Sequence, residues 1–370
     1  MEQTFVIKDF KIFEEQSITL KNLTVLAGSN SVGKSTIIQA ILLSRWTFEE
    51  RYRSGSDVKT IPIPLNGPFL LELGNTYEVI RRGKKITQSV CEFKLIQSGK
   101  TLMKIKLEGD RTTNNRYELW TKFDVFKGNN KGLLGQKVYY LAAERIGPRL
   151  KYEYEILPYL HAGYRGERTF QILSGENLPV SGLKLLNEED PPLLFDQTRK
   201  WLDYLIPGAK FDNAIPVGKS KVIEGTFGES LPTNVGFGIS YALPILVNGL
   251  LAEADTIMIV ENPEAHLHPA SQSRMGKFLA KIASSGVQVI IETHSEHVLN
   301  GIRIEAINGG IASSDIIVNF ITRDKERRIK LEKIEILETG DLTKFPRDFF
   351  DQVQQDMAEM YRTKKRQNNG

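Results

Sequence analysis

The residues Gly28-Ser-Asn-Ser-Val-Gly33-Lys34-Ser35-Thr36 form a complete G-x-x-x-x-G-K-S loop, and their flanks suit it. An apolar run over residues 23–27 reads as a strand feeding the loop. Residues 37–43 read as the first turns of a buried helix. A strand, a glycine loop and a helix start together cradle the phosphates of a nucleoside triphosphate. Gly28 and Gly33 let the backbone curl and aim N–H groups at phosphate oxygens. Asn30 and Ser31 lie inside the loop and are candidate nucleotide contacts. Lys34 has the reach for the β- and γ-phosphates, and Ser35 suits Mg²⁺ through its hydroxyl. Thr36 supports the helix start or the α-phosphate. A second Gly-Lys-Ser, at Gly218-Lys219-Ser220, lacks the upstream glycine and a following apolar helix, and reads as an ordinary loop.

The chain has 370 residues, 41% of them hydrophobic, enough for one large elaborated domain or two smaller ones. No uncharged apolar run is long enough to span a bilayer, and residues 2–15 lack the apolar core of an export signal. The single Cys91 excludes an internal disulfide and a cysteine-based zinc cage. A cytoplasmic protein with no membrane partner is expected. The net charge of +4 says little about nucleic acid, since clusters rather than totals decide such binding. Two basic clusters, residues 81–85 and 362–366, suit either phosphates or a solvated surface.

Five segments follow from the patterning. Residues 1–75 open a nucleotide-binding sheet, with strand-like runs at 5–13 and 16–20. Residues 76–149 alternate polar and apolar side chains as an antiparallel sheet does, then return through an apolar strand at 137–142. Charge follows that strand at once, with Glu144 and Arg145 where open α/β sheets keep ligand groups. Residues 150–230 read as a mostly helical insertion, with an amphipathic helix at 193–205. Residues 231–345 return to regular α/β patterning, and 346–370 form a C-terminal helix and basic tail.

The second half of the site lies at two strand ends. Residues 256–260 form an apolar strand that runs into Glu261-Asn262-Pro263-Glu264, and an acid in that place suits the Mg²⁺ shell. Residues 287–291 form another strand, followed by Glu292-Thr293-His294-Ser295. A neutral imidazole at His294 can bond a γ-phosphate oxygen or orient water. His266 and His268 invite a metal reading, but a rigid turn near the nucleotide and a subunit interface accounts for them without a transition metal. Residues 231–240 place Asn234, Gly236 and Gly238 just before a helix, either as an anion site or as a simple cap.

Together these residues resemble the ABC-type ATPases of the SMC, Rad50 and RecF kind. Among those, the chain is most similar to the OLD-like AAA family with a DUF3696 C-terminal region, found in bacterial antiphage defence. The matching elements are the loop at 28–36, Leu65-Asn-Gly-Pro68 with Leu73-Gly74-Asn75, residues 141–149, 233–240, 261–269, Glu292-Thr-His-Ser295, and 345–352. The resemblance implies an α/β P-loop head with a mixed central sheet, an antiparallel β subdomain and a helical insertion. It implies ATP and Mg²⁺ as cofactors, with two heads closing around ATP as a homodimer, or a larger oligomer. Residues 28–36 then take the Walker A role, Glu261 and Ser35 the Mg²⁺ role, and His294 that of the switch histidine. Asn234, Gly236 and Gly238 stand in for the signature segment that touches the γ-phosphate across the dimer, although the sequence departs from Leu-Ser-Gly-Gly-Gln.

One departure bears on mechanism. Asn262 occupies the place where most such heads carry the glutamate that polarises water, and an amide cannot take the proton. Glu261 or Glu264 then serves as base, or turnover is slow and needs a partner. No nuclease signature stands out, and no heptad arm is present. The expectation is an ATP-gated sensor that controls a separate effector such as a nuclease, with double-stranded DNA a candidate partner. The alternatives are a RecF-like DNA repair accessory, and an ATP-held scaffold that barely hydrolyses.

Overall fold

The computed structural model describes residues 2–54, 60–79, 90–109, 117–126, 132–135, 137–154, 159–175, 178–216, 222–227, 236–345 and 352–368. In chain order, β1 (Gln3–Phe10) and β2 (Phe13–Leu20) form a hairpin, and β3 (Leu23–Gly28) leads into α1 (Lys34–Ser54). Short β4 (Pro62–Pro64) and α2 (Thr76–Val79) follow, then β5 (Val90–Gln97), β6 (Lys100–Gly109) and β7 (Glu118–Phe126). After β8 (Val138–Leu141) come β9 (Tyr152–Glu153), α3 (Thr169–Leu173), α4 (Leu194–Leu205), β10 (Asn213–Pro216) and β11 (Val222–Thr226). Next are α5 (Phe237–Leu251), β12 (Ile257–Glu261), α6 (Pro269–Ser284), β13 (Gln288–Glu292) and α7 (Glu296–Ile307). The chain continues through β14 (Ile316–Arg323), β15 (Ile329–Ile334) and α8 (Gln352–Asn368).

Two six-stranded sheets organise the molecule. The first runs β15-β14-β3-β13-β12-β8, parallel except for the edge strand β15. Its inner strands are short apolar runs because both faces are covered. On β12, Ile257 and Ile259 face one core, while Met258 and Val260 face the other. On β13, Ile290 faces the first core, and Val289 and Ile291 the second. The same alternation carries Glu261 and Glu292 onto the first face, which α1 covers. Helices α4, α5, α6 and α7 cover the second face through Trp201, Leu246, Phe278 and Leu299.

The second sheet runs β2-β1-β5-β6-β7-β4 and is antiparallel throughout. It includes β1 and β2, which the sequence reading placed at the opening of the nucleotide sheet. Phe5, Ile7 and Phe10 of β1 and Phe13, Ile18 and Leu20 of β2 enter the core beneath α1. Phe5, Phe10 and Phe93 join Ile37, Ile41 and Leu42 of α1 in one core. At the β5–β6 turn, Ser98 and Gly99 both have positive φ, 49° and 71°, as a two-residue type I′ hairpin requires. Helix α1 therefore lies between the two sheets, with its N-terminus at the glycine loop.

The 150–230 segment combines α3 and α4 with a three-stranded ribbon ordered β10-β11-β9, which its periodicity did not reveal. Helix α8 is exposed along residues 355–364. No helix among the described residues is long and apolar enough to cross a membrane. The basic run 81–85 and the second Gly-Lys-Ser lie outside the described residues.

Candidate functional site

Gly28 ends β3 at φ 141°, and a Cβ there would stand 2.0 Å from the Ile321 carbonyl oxygen of β14. Only glycine lets the loop leave the sheet at this point. Ser31 at φ 60° and Gly33 at φ 107° complete the curl. Arg323, from β14, donates to the Ser31 carbonyl at 2.8 Å and fixes the loop from outside. Lys34 Nζ donates to the carbonyls of Gly28 at 2.9 Å and Ser29 at 2.7 Å, so the ammonium is held across the mouth of the loop. Burial lowers the Lys34 pKa, with Glu292 and Glu264 pulling the other way. A cavity of about 560 Å³ opens here, lined by Ile12, Asn30, Ser31, Gly33, Lys34, Ser35, Thr36, Glu292 and His294. That size is within the range of small-molecule sites.

The strand register brings the acids together. Glu261 at the end of β12 is the direct neighbour of Glu292 at the end of β13, and Glu292 in turn pairs with Leu26 of β3. Glu292 was not among the expected site residues. It is 5% exposed, and Ser35 Oγ donates to its Oε1 at 3.1 Å. Its Oε2 is buried with no hydrogen-bond partner among the described residues. Burial, and then the charge of Glu261, push the Glu292 carboxyl up to about 7. The signal in the sequence was an acid closing the apolar run of β13, one strand from the P-loop.

Glu261 is held from the other side. Tyr140 of β8 donates its hydroxyl to Glu261 Oε1 at 2.8 Å, and burial raises the Glu261 pKa. Arg145 is fully buried, donates to the backbone carbonyl of Glu261, and reaches the Asn262 carbonyl at 3.2 Å. It thus anchors the strand end through the backbone. Glu144 forms an exposed pair with Arg165 instead. Asn262 sits at φ 45°, a conformation its short amide tolerates, and its N–H donates to the Glu292 carbonyl at 2.8 Å. Its Oδ1 is buried without a partner among the described residues.

Glu264 bridges the two strand ends. It accepts from Thr293 Oγ1 at 2.7 Å and from the His294 backbone N–H at 2.8 Å. Burial, then the charge of Lys34, lower the His294 pKa, so its imidazole is neutral at pH 7. The cavity thus gathers Asn30, Ser31, Lys34, Ser35, Thr36 and His294, with Glu261, Asn262 and Glu264 behind it.

Gly236 and Gly238 stand elsewhere, at the start of α5, and do not line this cavity. A Cβ on Gly238 would meet the His266 carbonyl at 2.8 Å, so α5 docks tightly on the histidine turn. Tyr241 packs on His266 at 4.6 Å between centroids, and Phe237 at 5.4 Å. His268 caps α6, its Nδ1 accepting from Ala270 N–H at 3.4 Å. Asn234 lies outside the described residues. Among those described, no group of three His, Cys, Asp or Glu side chains is placed to hold a metal ion.

Three family models match the chain: an AAA domain over residues 5–170, an AAA ATPase domain over 196–299, and a protein family of unknown function, DUF3696, over 311–360. In chain order, the matched models are thus AAA ATPase domains followed by a DUF3696 region. ATP is the nucleotide such domains take. A curated relative, the Old nuclease of Escherichia phage P2, is 24% identical over 365 residues, which cover 84% of this chain and 60% of the relative. The chain therefore spans about 60% of that relative's length. Among solved structures, the SMC head domain from Thermotoga maritima is 13% identical, with 90% of this chain and 98% of that one covered and a TM-score of 0.42. An Smc head domain derived from Pyrococcus furiosus is 11% identical, with coverages of 90% and 96% and a TM-score of 0.47. At these scores, the fold argument rests on this chain's own strand order.

Proposed function

We propose that the chain is an ATP-gated switch of antiphage defence, which binds ATP between two copies of itself and controls a separate effector such as a nuclease. The convergence of Lys34, Ser35, Glu292 and His294 on one cavity beneath the α1 N-terminus carries this reading. Lys34 turns from the loop carbonyls to the β- and γ-phosphates, and the loop N–H groups bind phosphate oxygens. The residues at Ser35 fit Mg²⁺: a hydroxyl, carboxylate oxygens, and one buried Glu292 oxygen without a partner. Such an ion would be held by Ser35 with a strand-end acid, Glu261 or Glu292, and would offset charge building on the phosphates. His294, neutral and exposed to the cavity, orients water or bonds a γ-phosphate oxygen. Glu264 positions it through the backbone. Gly236 and Gly238, with Asn234 before them, meet the nucleotide of the partner copy.

Asn262 supplies no base, so turnover is slow, as suits a switch rather than a motor. The phage P2 relative is named as a nuclease, which supports an effector with nuclease chemistry. Double-stranded DNA is the trigger this reading favours.

Phosphate release by the purified protein, with and without double-stranded DNA, tests the reading. The parent should turn over slowly and faster with DNA, and should dimerise with ATP on light scattering. Lys34→Ala should lose about 100-fold or more in turnover, by the scale of removed phosphate contacts. Parent protein that neither releases phosphate nor dimerises with ATP would sink it. Asn262 favours a second reading, a nucleotide-held scaffold. That one predicts ATP-driven dimers with no phosphate release, and turnover gained in Asn262→Glu.

A further inference from the structure

We infer that Glu292, on the strand between the P-loop strand and the Glu261 strand, supplies the carboxylate that binds Mg²⁺ beside Ser35. The inference rests on the ATP-binding reading above and sharpens its metal site. Three observations carry it. The first is distance. Ligands at 2.0–2.1 Å in an octahedron stand about 3.0 Å apart along a cis edge. Ser35 Oγ and Glu292 Oε1 are 3.1 Å apart, so both oxygens can serve one ion with little movement.

The second is an orphaned oxygen. Glu292 is 5% exposed, yet its Oε2 has no hydrogen-bond partner among the described residues. Leaving a buried carboxylate oxygen unsatisfied is costly, and a cation on the same carboxylate lessens that cost by drawing charge from both oxygens. The third is the placement of the competing acid. Glu261 has its Oε1 committed to the Tyr140 hydroxyl at 2.8 Å, on the β8 side of the sheet. Glu292 lines the cavity with Lys34 and Ser35, and Glu261 does not. Mg²⁺ in such sites keeps several waters and needs only one or two protein groups besides phosphate oxygens. Ser35 and Glu292 provide that number. Glu261 then acts one layer behind, its charge adjoining that of Glu292 and its position fixed by Tyr140 and Arg145.

The test reads metal binding rather than turnover. The affinity of the purified protein for a fluorescent ATP analogue is measured with EDTA and with Mg²⁺. Mn²⁺ replaces Mg²⁺ in a parallel titration followed by electron paramagnetic resonance. In the parent, metal should tighten the analogue about tenfold or more, on the scale of one lost charged ligand. Glu292→Gln should bind the analogue in EDTA as the parent does, which also reports a folded site, and should lose the gain with metal. Its Mn²⁺ signal should remain that of the free ion at concentrations where the parent is saturated. Glu261→Gln should lose less of the gain than Glu292→Gln. Ser35→Ala combined with Glu292→Gln should add little to either alone, since the two act on one ion.

If Glu292→Gln does not bind in EDTA, Glu292→Asp takes its place. It draws the carboxylate back from Ser35 and should weaken the gain several-fold. A full metal gain in Glu292→Gln, or in Glu292→Asp when that variant is used, overturns the inference. So does a larger loss in Glu261→Gln. Failure of the parent to bind the analogue at all would instead sink the ATP-binding reading.

Discussion

The two six-stranded sheets use the same number of strands for different ends. In the parallel sheet, β3, β12 and β13 run side by side in one direction, so their last residues open onto one place. Gly28, Glu261 and Glu292 are those residues. The antiparallel sheet has no such common end. Its neighbouring strands reverse direction, and turns such as Ser98-Gly99 separate them. It presents instead one continuous apolar face, on which α1 lies. One sheet thus gathers chemistry at its strand ends, and the other holds the helix whose N-terminus closes the glycine loop. Reactive groups are crowded where strands are parallel, and the surface beneath α1 is Phe, Ile and Leu.

The largest expected effect distinguishes glycines in the two sheets. Gly28→Ala drives a Cβ to 2.0 Å from the Ile321 carbonyl at a backbone φ of 141°. Strain and overpacking together should cost on the order of 3–5 kcal/mol and separate β3 from β14. Gly99→Ala, at φ 71° with nothing within 4 Å, should cost only about 1–2 kcal/mol. Urea unfolding of the two variants measures the difference. Equal losses would mean that the P-loop exit is no tighter a constraint than the hairpin turn.

Next is the core beneath α1. Phe93 is fully buried, stacked with Phe5 at 6.1 Å and edge-on to Phe10 at 5.3 Å. Phe93→Ala should cost about 3–5 kcal/mol. Well below the melting temperature, nucleotide affinity should change less than about threefold, because Phe93 does not line the nucleotide cavity. A collapse of affinity with retained secondary structure would show that the antiparallel sheet shapes the site rather than only supporting α1.

The contrast also explains what the sequence disclosed. The P-loop was legible because its chemistry is local: strand, glycines, lysine and helix lie within one stretch. The apolar runs of β12 and β13 were legible because burial on both faces leaves no other pattern. Glu261 and His294 followed as strand-end residues. Glu292 was not singled out, although it ends its strand just as Glu261 does. Its role depends on strand order, which sets β13 between β12 and β3, and no local pattern encodes that. The hairpin of β1 and β2 was legible as strands but not by sheet. Its partner β5 is far along the chain, and only long-range pairing assigns it. The small ribbon of β9, β10 and β11 was hidden for the same reason, its strands being two to five residues long. The link between Gly238 and His266 is a backbone contact, which side-chain patterning cannot report.

The smallest expected effect sets the two cores against each other by pH. Lys184 lies in the helix layer of the parallel sheet, where its Nζ caps α5 by donating to the carbonyls of Gly249 at 3.1 Å, Leu250 at 3.4 Å, and Ala252. Burial pushes it down to about 8 from the ordinary 10.5. Cys91 lies in the antiparallel core, where burial pushes its thiol up to about 12 from 9.0. The two shifts have opposite consequences. Between pH 8 and 10.5 the unfolded chain keeps a lysine proton that the folded chain has released, so this group makes stability rise with pH. Above pH 9 the unfolded chain loses a thiol proton that the folded chain keeps, so this group makes stability fall. Each slope is at most about 1.4 kcal/mol per pH unit. Measured as parent minus variant, the stability difference for Lys184→Met should climb from pH 8, and that for Cys91→Ala should decline from pH 9. Differences that run parallel across this range would mean that neither group keeps its buried environment in the folded protein. A climb without the decline would place the tight, dry packing in the helix layer alone and leave the antiparallel core open to water at Cys91.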